Sequence, residues 1–326
     1  MLLVINRNTD PAFNLALEEY LLTRFQEEIL CLWRNRSAII VGKNQNTLAE
    51  INLDYVRERN ITVIRRLTGG GAVFHDLGNL NYTLIQPCGE GDFNNYRKFT
   101  APIVGYLSTL GVAAELSGRN DLLIDGMKFS GNAQTVRGGR IMHHGCLLFS
   151  ANMSDLSGAL RSRDIKFQSK GVKSVRSRVT NISAHLPTPM TVEAFQEGLE
   201  GYLSSTLPDI RPYQLTGRDL AAVEELVKTR YGTWEWNFGA SPRYSLCKSE
   251  KFSFGIVDAT LEVQNGVITA LSLRGDYFGI QDTAILEEAL TGVRHRREDM
   301  EAAAERAGVD RCISGMTPAQ LAGLLL

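Results

Sequence analysis

The stretch from Arg65 to Asn79, RRLTGGGAVFHDLGN, constrains this chain more than any other. Ile61–Ile64 before it and Leu80–Ile85 after it are rich in strand formers, so the pattern predicts a glycine loop between two strands. Two nucleotide-binding folds are thereby disfavoured. No Gly-Lys-Ser or Gly-Lys-Thr follows Gly69, Gly70 and Gly71, so the loop is no P-loop, and no Gly-x-Gly-x-x-Gly opens a helix, as a dinucleotide fold requires. Consecutive glycines reach φ > 0 and let the backbone approach a ligand closely. The adjoining Arg65 and Arg66 suit a phosphate or a carboxylate. Three glycines alone fit an ordinary tight turn equally well.

Other punctuation points to antiparallel sheet. Asp125-Gly126 predicts a hairpin joining Asp121–Ile124 to Met127–Ser130, with Lys128 on a strand just past the turn. Gly138-Gly139 leads into Ile141–Ser150, and Asn265-Gly266 joins Leu261–Val263 to Val267–Leu273. Strands are also expected at Ile29–Trp33 and Ser37–Gly42. Asp10-Pro11 is a capped helix start, followed by Phe13, Leu17, Leu21 and Phe25 at spacing four. Further helices are expected at Asn52–Arg59, Tyr96–Leu110, Thr191–Leu203, Thr216–Arg230, Asp282–Leu290, Glu298–Ala307 and Thr317–Leu325. Gly111 closes the second of these and a Thr216/Asp219 box opens the fourth. The expected fold is therefore α/β (α+β), with mixed, largely antiparallel sheets and packed helices. Residues 1–245 would form one domain and 246–326 a small α/β domain.

Bulk properties narrow the function classes. A chain of 326 residues with 44% apolar and 22% charged residues and net charge −1 is an ordinary globular protein with no general attraction to nucleic acid. No run reaches the length of a membrane span, and MLLVINRNTD lacks the basic and apolar blocks of a secretory signal. Cys31, Cys88, Cys146, Cys247 and Cys312 are scattered without a Cys-x-x-Cys, which predicts a reducing cytoplasm and no disulfide or zinc framework. From Arg161 to Asn181 the chain carries seven basic residues against Asp164 alone, with little periodicity. By itself this reads as a mobile, solvated loop.

Three segments have the residues for chemistry: the glycine loop with its arginines, the hairpin with Asp121 and Lys128, and the His143-His144-Gly145 strand. A lysine on a rigid strand is a fixed charge for a phosphoryl or carbonyl oxygen. Asp121 beside Asn120 suits Mg²⁺, which prefers oxygen ligands and keeps waters. His75, His143 and His144 read as buried hydrogen-bonding residues, because no further ligand stands at metal-site spacing. Cys146 beside two histidines has the parts of a nucleophile, although a small buried strand residue is the simpler reading. Asp76 and Asn79 read as turn organisers.

Taken together, RRLTGGGAVFHDLGN, SGRNDL, KFSGNAQ, HHGCLLF, KGVKSVRSRVTN and WEWNFG, in this order, closely resemble the lipoate–protein ligase A family. The resemblance runs from the first helix to the Trp234 region, and more weakly through the C-terminal domain of the bacterial two-domain form. It implies the catalytic fold shared with biotin ligases and a two-step reaction. ATP and lipoate give lipoyl-AMP and pyrophosphate; the lipoyl group then passes to a lysine of an acceptor domain. The resemblance places Arg66, Gly70, Gly71, Ala72, Val73, Phe74, Asn79, Asp121, Lys128 and Ser130 at ATP or lipoyl-AMP. Lys128 is the essential lysine, touching phosphate and acyl carbonyl. Val73 with His143 or His144 lines the lipoyl pocket; Lys170, Ser174, Arg176 and Arg178 belong to an adenylate lid; Asp121 holds Mg²⁺. The implied acceptors are E2 subunits of 2-oxoacid dehydrogenases and the glycine cleavage H protein, and a monomer is expected. Two departures stand out: Cys146 replaces a threonine, as if toward the acyl-cysteine octanoyltransferases, and Leu67-Thr68 replaces a serine pair. The alternatives are a lipoyl or octanoyl transferase using a preformed acyl donor, and a non-catalytic lipoyl-binding regulator. Retention of Lys128, Arg66 and the glycine loop argues against the regulator, and the KGVKSVRSRVTN segment with a C-terminal domain favours the ligase over the transferase.

Overall fold

The computed structural model describes residues 1–118, 120–160, 179–207 and 209–326, with the backbone of Lys166–Ser169. By internal contacts the chain forms two units. The first comprises Met1–Lys43, Asp54–Leu160 and Ser174–Thr233; the second comprises Asn44–Leu53, Arg161–Lys173 and Trp234–Leu326.

In chain order the strands of the first unit are β1 (Leu2–Ile5), β2 (Ile29–Trp33), β3 (Ala38–Val41), β4 (Thr62–Arg65), β5 (Val73–His75), β6 (Asn79–Pro87), β7 (Glu115–Ser117), β8 (Asp121–Ile124), β9 (Met127–Arg137), β10 (Arg140–Leu148) and β12 (Arg211–Gln214), while β11 (Lys166–Ser169) belongs to the second unit. The large sheet runs β12-β1-β2-β6-β10-β9-β8-β7. Its β1 is parallel to β12 and β2, and the other pairs are antiparallel. A small sheet runs β4-β3-β5, with β3 parallel to β4 and antiparallel to β5.

Side-chain alternation gives the large sheet two different faces. On one, Leu80 and Tyr82 of β6 join Leu30, Leu32, Leu122, Phe129 and Leu147 in a core covered by helices Tyr96–Thr109 and Val192–Thr206. Each buried side chain of this kind contributes about 1.5–3 kcal/mol. The other face carries Asn79, Asn81 and Thr83 from β6. Helix α1 (Pro11–Arg24) packs on β4, β6 and β10. Its start is as expected: Asp10 Oδ1 accepts from Phe13 N at 3.0 Å and Pro11 takes the first turn. A largely apolar core on one side leaves the polar residues of β6 to the other, and the candidate site lies there.

The glycine-containing turns follow the pattern read from sequence. Asp125 and Gly126 have φ of 51° and 73°, Gly138 and Gly139 have 58° and 73°, and Asn265 and Gly266 have 52° and 72°. Positive φ at both central residues suits the twist of a two-residue hairpin. The Arg65–Asn79 stretch differs in one respect. Val73–His75 is a strand paired to β3, so the loop is shorter than predicted. The helix at Gly217–Leu226 also stops early and continues as a wider turn over Val227–Tyr231.

In the second unit β13 (Tyr244–Phe252), β14 (Gly255–Gln264) and β15 (Val267–Gly275) form an antiparallel meander, with β11 on the edge at β13. Leu246, Leu261, Val263 and Leu273 meet Met300 and Leu321 from its helices in a separate core, with Leu48 from the early segment packed against it. Thr47 fastens that segment: its Oγ1 donates to Asn237 O at 2.7 Å and its N to Ser241 Oγ at 3.2 Å.

Candidate active site

Of the three consecutive glycines, Gly70 is the one with positive φ, at 93°. The loop also depends on Gly42 at the end of β3, where a Cβ would stand 2.0 Å from Gly70 O. Two backbones thus touch where no side chain fits. Both arginines are buried and committed to this junction. Arg65, fully buried, donates through Nη1 to Gly42 O at 2.9 Å and Lys43 O at 3.0 Å. Arg66 donates through Nη1 to Ile40 O at 2.9 Å and through Nη2 to Gly69 O at 2.6 Å and Gly71 O at 2.8 Å. Burial lowers both guanidinium pKa values to about 10, well above neutrality, so the loop is wrapped around two retained positive charges. Of the pair that reads from sequence as anion-facing, Arg66 therefore forms the internal scaffold of the loop and Arg65 braces the end of β3 beside it.

From Arg66 a chain of hydrogen bonds runs into the sheet. Arg66 Nε donates to Thr68 Oγ1 at 2.9 Å, and Thr68 Oγ1 lies 2.7 Å from His144 Nε2. His144 Nδ1 is 2.8 Å from Glu18 Oε1 on α1, which also accepts from Thr83 Oγ1 at 2.6 Å. Thr83 in turn accepts from Trp33 Nε1 at 2.9 Å. Held between Thr68 at Nε2 and Glu18 at Nδ1, the His144 ring is fixed in orientation. Sequence reading missed Glu18 and Thr83. The available signals were Asn14 and Glu18 at spacing four inside an apolar helix, and polar residues alternating with Leu80 and Tyr82 along β6.

Next to this relay the register lines up one residue per strand across the same face: Trp33, Asn81, Cys146, Gly131 and Asp121. A bulge between β8 and β9, where the register shifts at Leu122/Leu123, sets Lys128 close to Gly131. A Cβ on Gly131 would lie 3.1 Å from both Cε and Nζ of Lys128. The lysine thus reaches over Gly131 to form an ion pair with Asp121 Oδ1 at 2.9 Å, both side chains partly exposed. Its backbone O accepts from Thr180 N at 2.9 Å. Asn79 joins this row to the loop: its Nδ2 donates to Cys146 Sγ at 3.0 Å and to Phe74 O at 3.5 Å.

The predicted residues therefore separate into groups. Gly70, Gly71, Ala72, Val73, Phe74, Asn79, Arg66, His144, Asp121 and Lys128 border one face or its loop. His143 does not, since alternation turns it to the opposite face. There it stacks on Phe99 at 4.9 Å between ring centroids and lies 3.1 Å from Gln134 Nε2. Burial, reinforced by the neighbouring His144, lowers its pKa to about 3. Ser130 is buried, receiving a long hydrogen bond of 3.4 Å from Asn132 Nδ2. Phe74 is buried, and Val73 is partly exposed. His75 is neutral as well, its pKa lowered to about 3 by burial and by Arg66 and His144. Desolvation raises the Cys146 thiol to about 12 against the opposing bond from Asn79, so at neutral pH it is protonated and a poor nucleophile. Lys170, Ser174, Arg176 and Arg178 lie outside the described residues.

Among the described residues no three His, Cys, Asp or Glu side chains cluster as a metal site. Asp121, a single carboxylate beside the lysine, fits Mg²⁺ of the kind that takes its other ligands from substrate phosphates and water.

A loop held from inside by Arg66, a strand lysine and a polar sheet face have the chemistry to receive an anionic acyl or phosphoryl group. Comparison with known proteins points the same way. Residues 10–204 match the lipoyl protein ligase A/B catalytic domain, and residues 241–325 match the bacterial lipoate protein ligase C-terminus. The chain is 44% identical over 302 residues to the lipoate-protein ligase LplJ of Bacillus subtilis, covering 91% of each. It is similar to a chain of the bi-partite lipoate protein ligase studied with its E2 lipoyl domain from Thermoplasma acidophilum, at 27% identity and TM-score 0.64, over 73% of this chain and 96% of that one. A lipoate-protein ligase A structure bound with ATP aligns at 28% identity and TM-score 0.63, over 73% of this chain and 98% of that one. With the catalytic match spanning more than half its length, the chain belongs to the lipoate–protein ligase family.

Proposed function

We propose that the protein is an ATP-dependent lipoate–protein ligase. It joins lipoate to AMP with release of pyrophosphate, then passes the lipoyl group to a lysine ε-amine on an acceptor domain, releasing AMP. The observation that carries this reading is Lys128, held 2.9 Å from Asp121 on the sheet face that the glycine loop borders. Attack of the lipoate carboxylate on the α-phosphate brings two anions together. A fixed ammonium offsets that repulsion and orients the groups for in-line displacement. In the second step the amine attacks the acyl carbonyl, and the same ammonium stabilises the negative oxygen that develops.

Arg66 shapes the loop whose backbone from Gly70 to Phe74 borders the nucleotide. Asn79 ties that loop to the row of Lys128, and Ser130 supports β9 beneath it. His144 and Val73 border the lipoyl chain, while His143 supports the sheet from behind. Mg²⁺ bound with the nucleotide would neutralise phosphate charge, with Asp121 as its protein carboxylate. Lys170, Ser174, Arg176 and Arg178 close over the adenylate, because a mixed anhydride must be kept from water. The chemistry resides in the catalytic domain, and the C-terminal domain is accessory. The acceptors are the lipoyl domains of E2 subunits and the glycine cleavage H protein. Five free cysteines suit a reducing cytoplasm, where the protein acts as a monomer.

The test incubates the pure protein with lipoate, Mg-ATP and a lipoyl domain, and weighs the domain by mass spectrometry. Added lipoyl mass that requires ATP is expected. Transfer seen solely from supplied lipoyl-AMP or an octanoyl donor, or an acyl group trapped on Cys146, would replace the ligase with a transferase.

A further inference from the structure

Asn81 is 1% exposed, and neither its Nδ2 nor its Oδ1 has a hydrogen-bond partner among the described residues. An unpaired buried amide is costly, and such groups in native proteins ordinarily meet water or a ligand. Its position says which. On β6 it stands between Asn79, which binds Cys146 Sγ and Phe74 O, and Thr83, which binds Glu18. It therefore shares the face of the site and lies directly between Trp33 on β2 and Cys146 on β10.

The spacing then assigns an end of the substrate. Gly131, over which Lys128 lies, is two strands from Asn81, about 10 Å at the usual strand separation. An extended lipoyl chain covers about that distance from its reacting carbonyl to the far side of its ring, where the sulfurs are. Its register neighbours are an indole on one side and, on the other, a thiol that burial keeps protonated, and neither of these can pair with a carboxylate or phosphate. What fits is an apolar group with a weak acceptor, and the ring sulfurs of lipoate are such acceptors. The same face already holds one amide-to-sulfur contact, from Asn79 to Cys146 at 3.0 Å.

We propose that Asn81 is a specificity-determining residue, its amide donating to a ring sulfur of lipoate and so discriminating against acyl chains without sulfur. This rests on the ligase reading. A site that places a buried donor against a substrate atom rejects an analogue lacking that atom, because the donor is then left unpaired. Plain octanoate, or a carbocyclic analogue with methylene for each sulfur, would strand the amide.

The experiment measures kcat/KM for pyrophosphate release with lipoate, octanoate and the carbocyclic analogue, in the full chain and in Asn81→Leu and Asn81→Ser. In the unaltered protein lipoate should exceed the shape-matched analogue by on the order of tenfold. In Asn81→Leu that ratio should fall toward one, and Asn81→Ser should lie between. Should a variant fail to fold, the lipoate-to-analogue ratio of the unaltered protein still decides: a ratio near one overturns the proposal. An unchanged ratio in a folded, active Asn81→Leu overturns it too, leaving the ligase intact. No activation of any of the three acids by the unaltered protein overturns the ligase reading and this inference with it.

Discussion

Lys128 and three histidines show how much rests on single side chains here. Lys128 is a quarter exposed and contributes little to the core, so Lys128→Met should fold normally. It should lower lipoyl-AMP formation at least a hundredfold, since one preorganised charge at a developing oxyanion is worth about that much. Retained pyrophosphate release would remove the lysine from the chemistry. The histidines govern stability against pH. Burial lowers His75 and His143 to about 3 and His295 to about 4, from an unfolded value near 6.5. Below pH 6.5 the unfolded chain takes protons that the folded chain refuses, so stability is lost as pH falls toward those values. Between pH 6 and pH 5 the two in the first unit should together cost roughly 2–3 kcal/mol. That window lies above ordinary carboxylate titration. Urea unfolding at the two pH values reads the effect, and equal midpoints would show that these rings are not held neutral.

At the level of elements, two glycines outside Arg65–Asn79 shape the site. Gly42 lets β3 touch the loop, and a methyl there would collide with backbone at 2.0 Å. Gly42→Ala should therefore lower the melting temperature by several degrees and weaken ATP binding together. Gly131 is different, since its added Cβ would meet the flexible end of Lys128 at 3.1 Å. Gly131→Ala should keep the melting temperature within a degree or two while cutting adenylate formation roughly tenfold or more by displacing the ammonium. Equal turnover in the two proteins would show that the path over Gly131 is not needed. The bulge on β9 explains why sequence alone does not pair Lys128 with this glycine: it breaks the alternation on which strand reading depends.

At the level of the molecule, the second unit draws Asn44–Leu53 from inside the first third of the chain, through Thr47 and Leu48. A chain ending at Thr233 would leave those residues without Asn237, Ser241 and their core. It should unfold at a measurably lower temperature than the full protein, and an unchanged melting curve would show the segment independent of its partners. No helix among the described residues is long and apolar enough to cross a membrane. Much of this architecture is local and so was legible. Asp10-Pro11, the Thr216/Asp219 box and the three two-residue turns act through neighbours in the chain, and each formed the element its chemistry demands. The composition is that of an ordinary globular chain, the turn and helix signals carry the mixed fold, and the segments in register carry the resemblance to the family. What sequence alone could not decide was which side chains share a face. His143 and His144 are adjacent residues on opposite faces, whereas Trp33, Asn81, Cys146, Gly131 and Asp121 are distant residues in one row. Local propensity depends on neighbours along the chain, but a site depends on strand register and bulges, and those arise only when the sheet closes over its core.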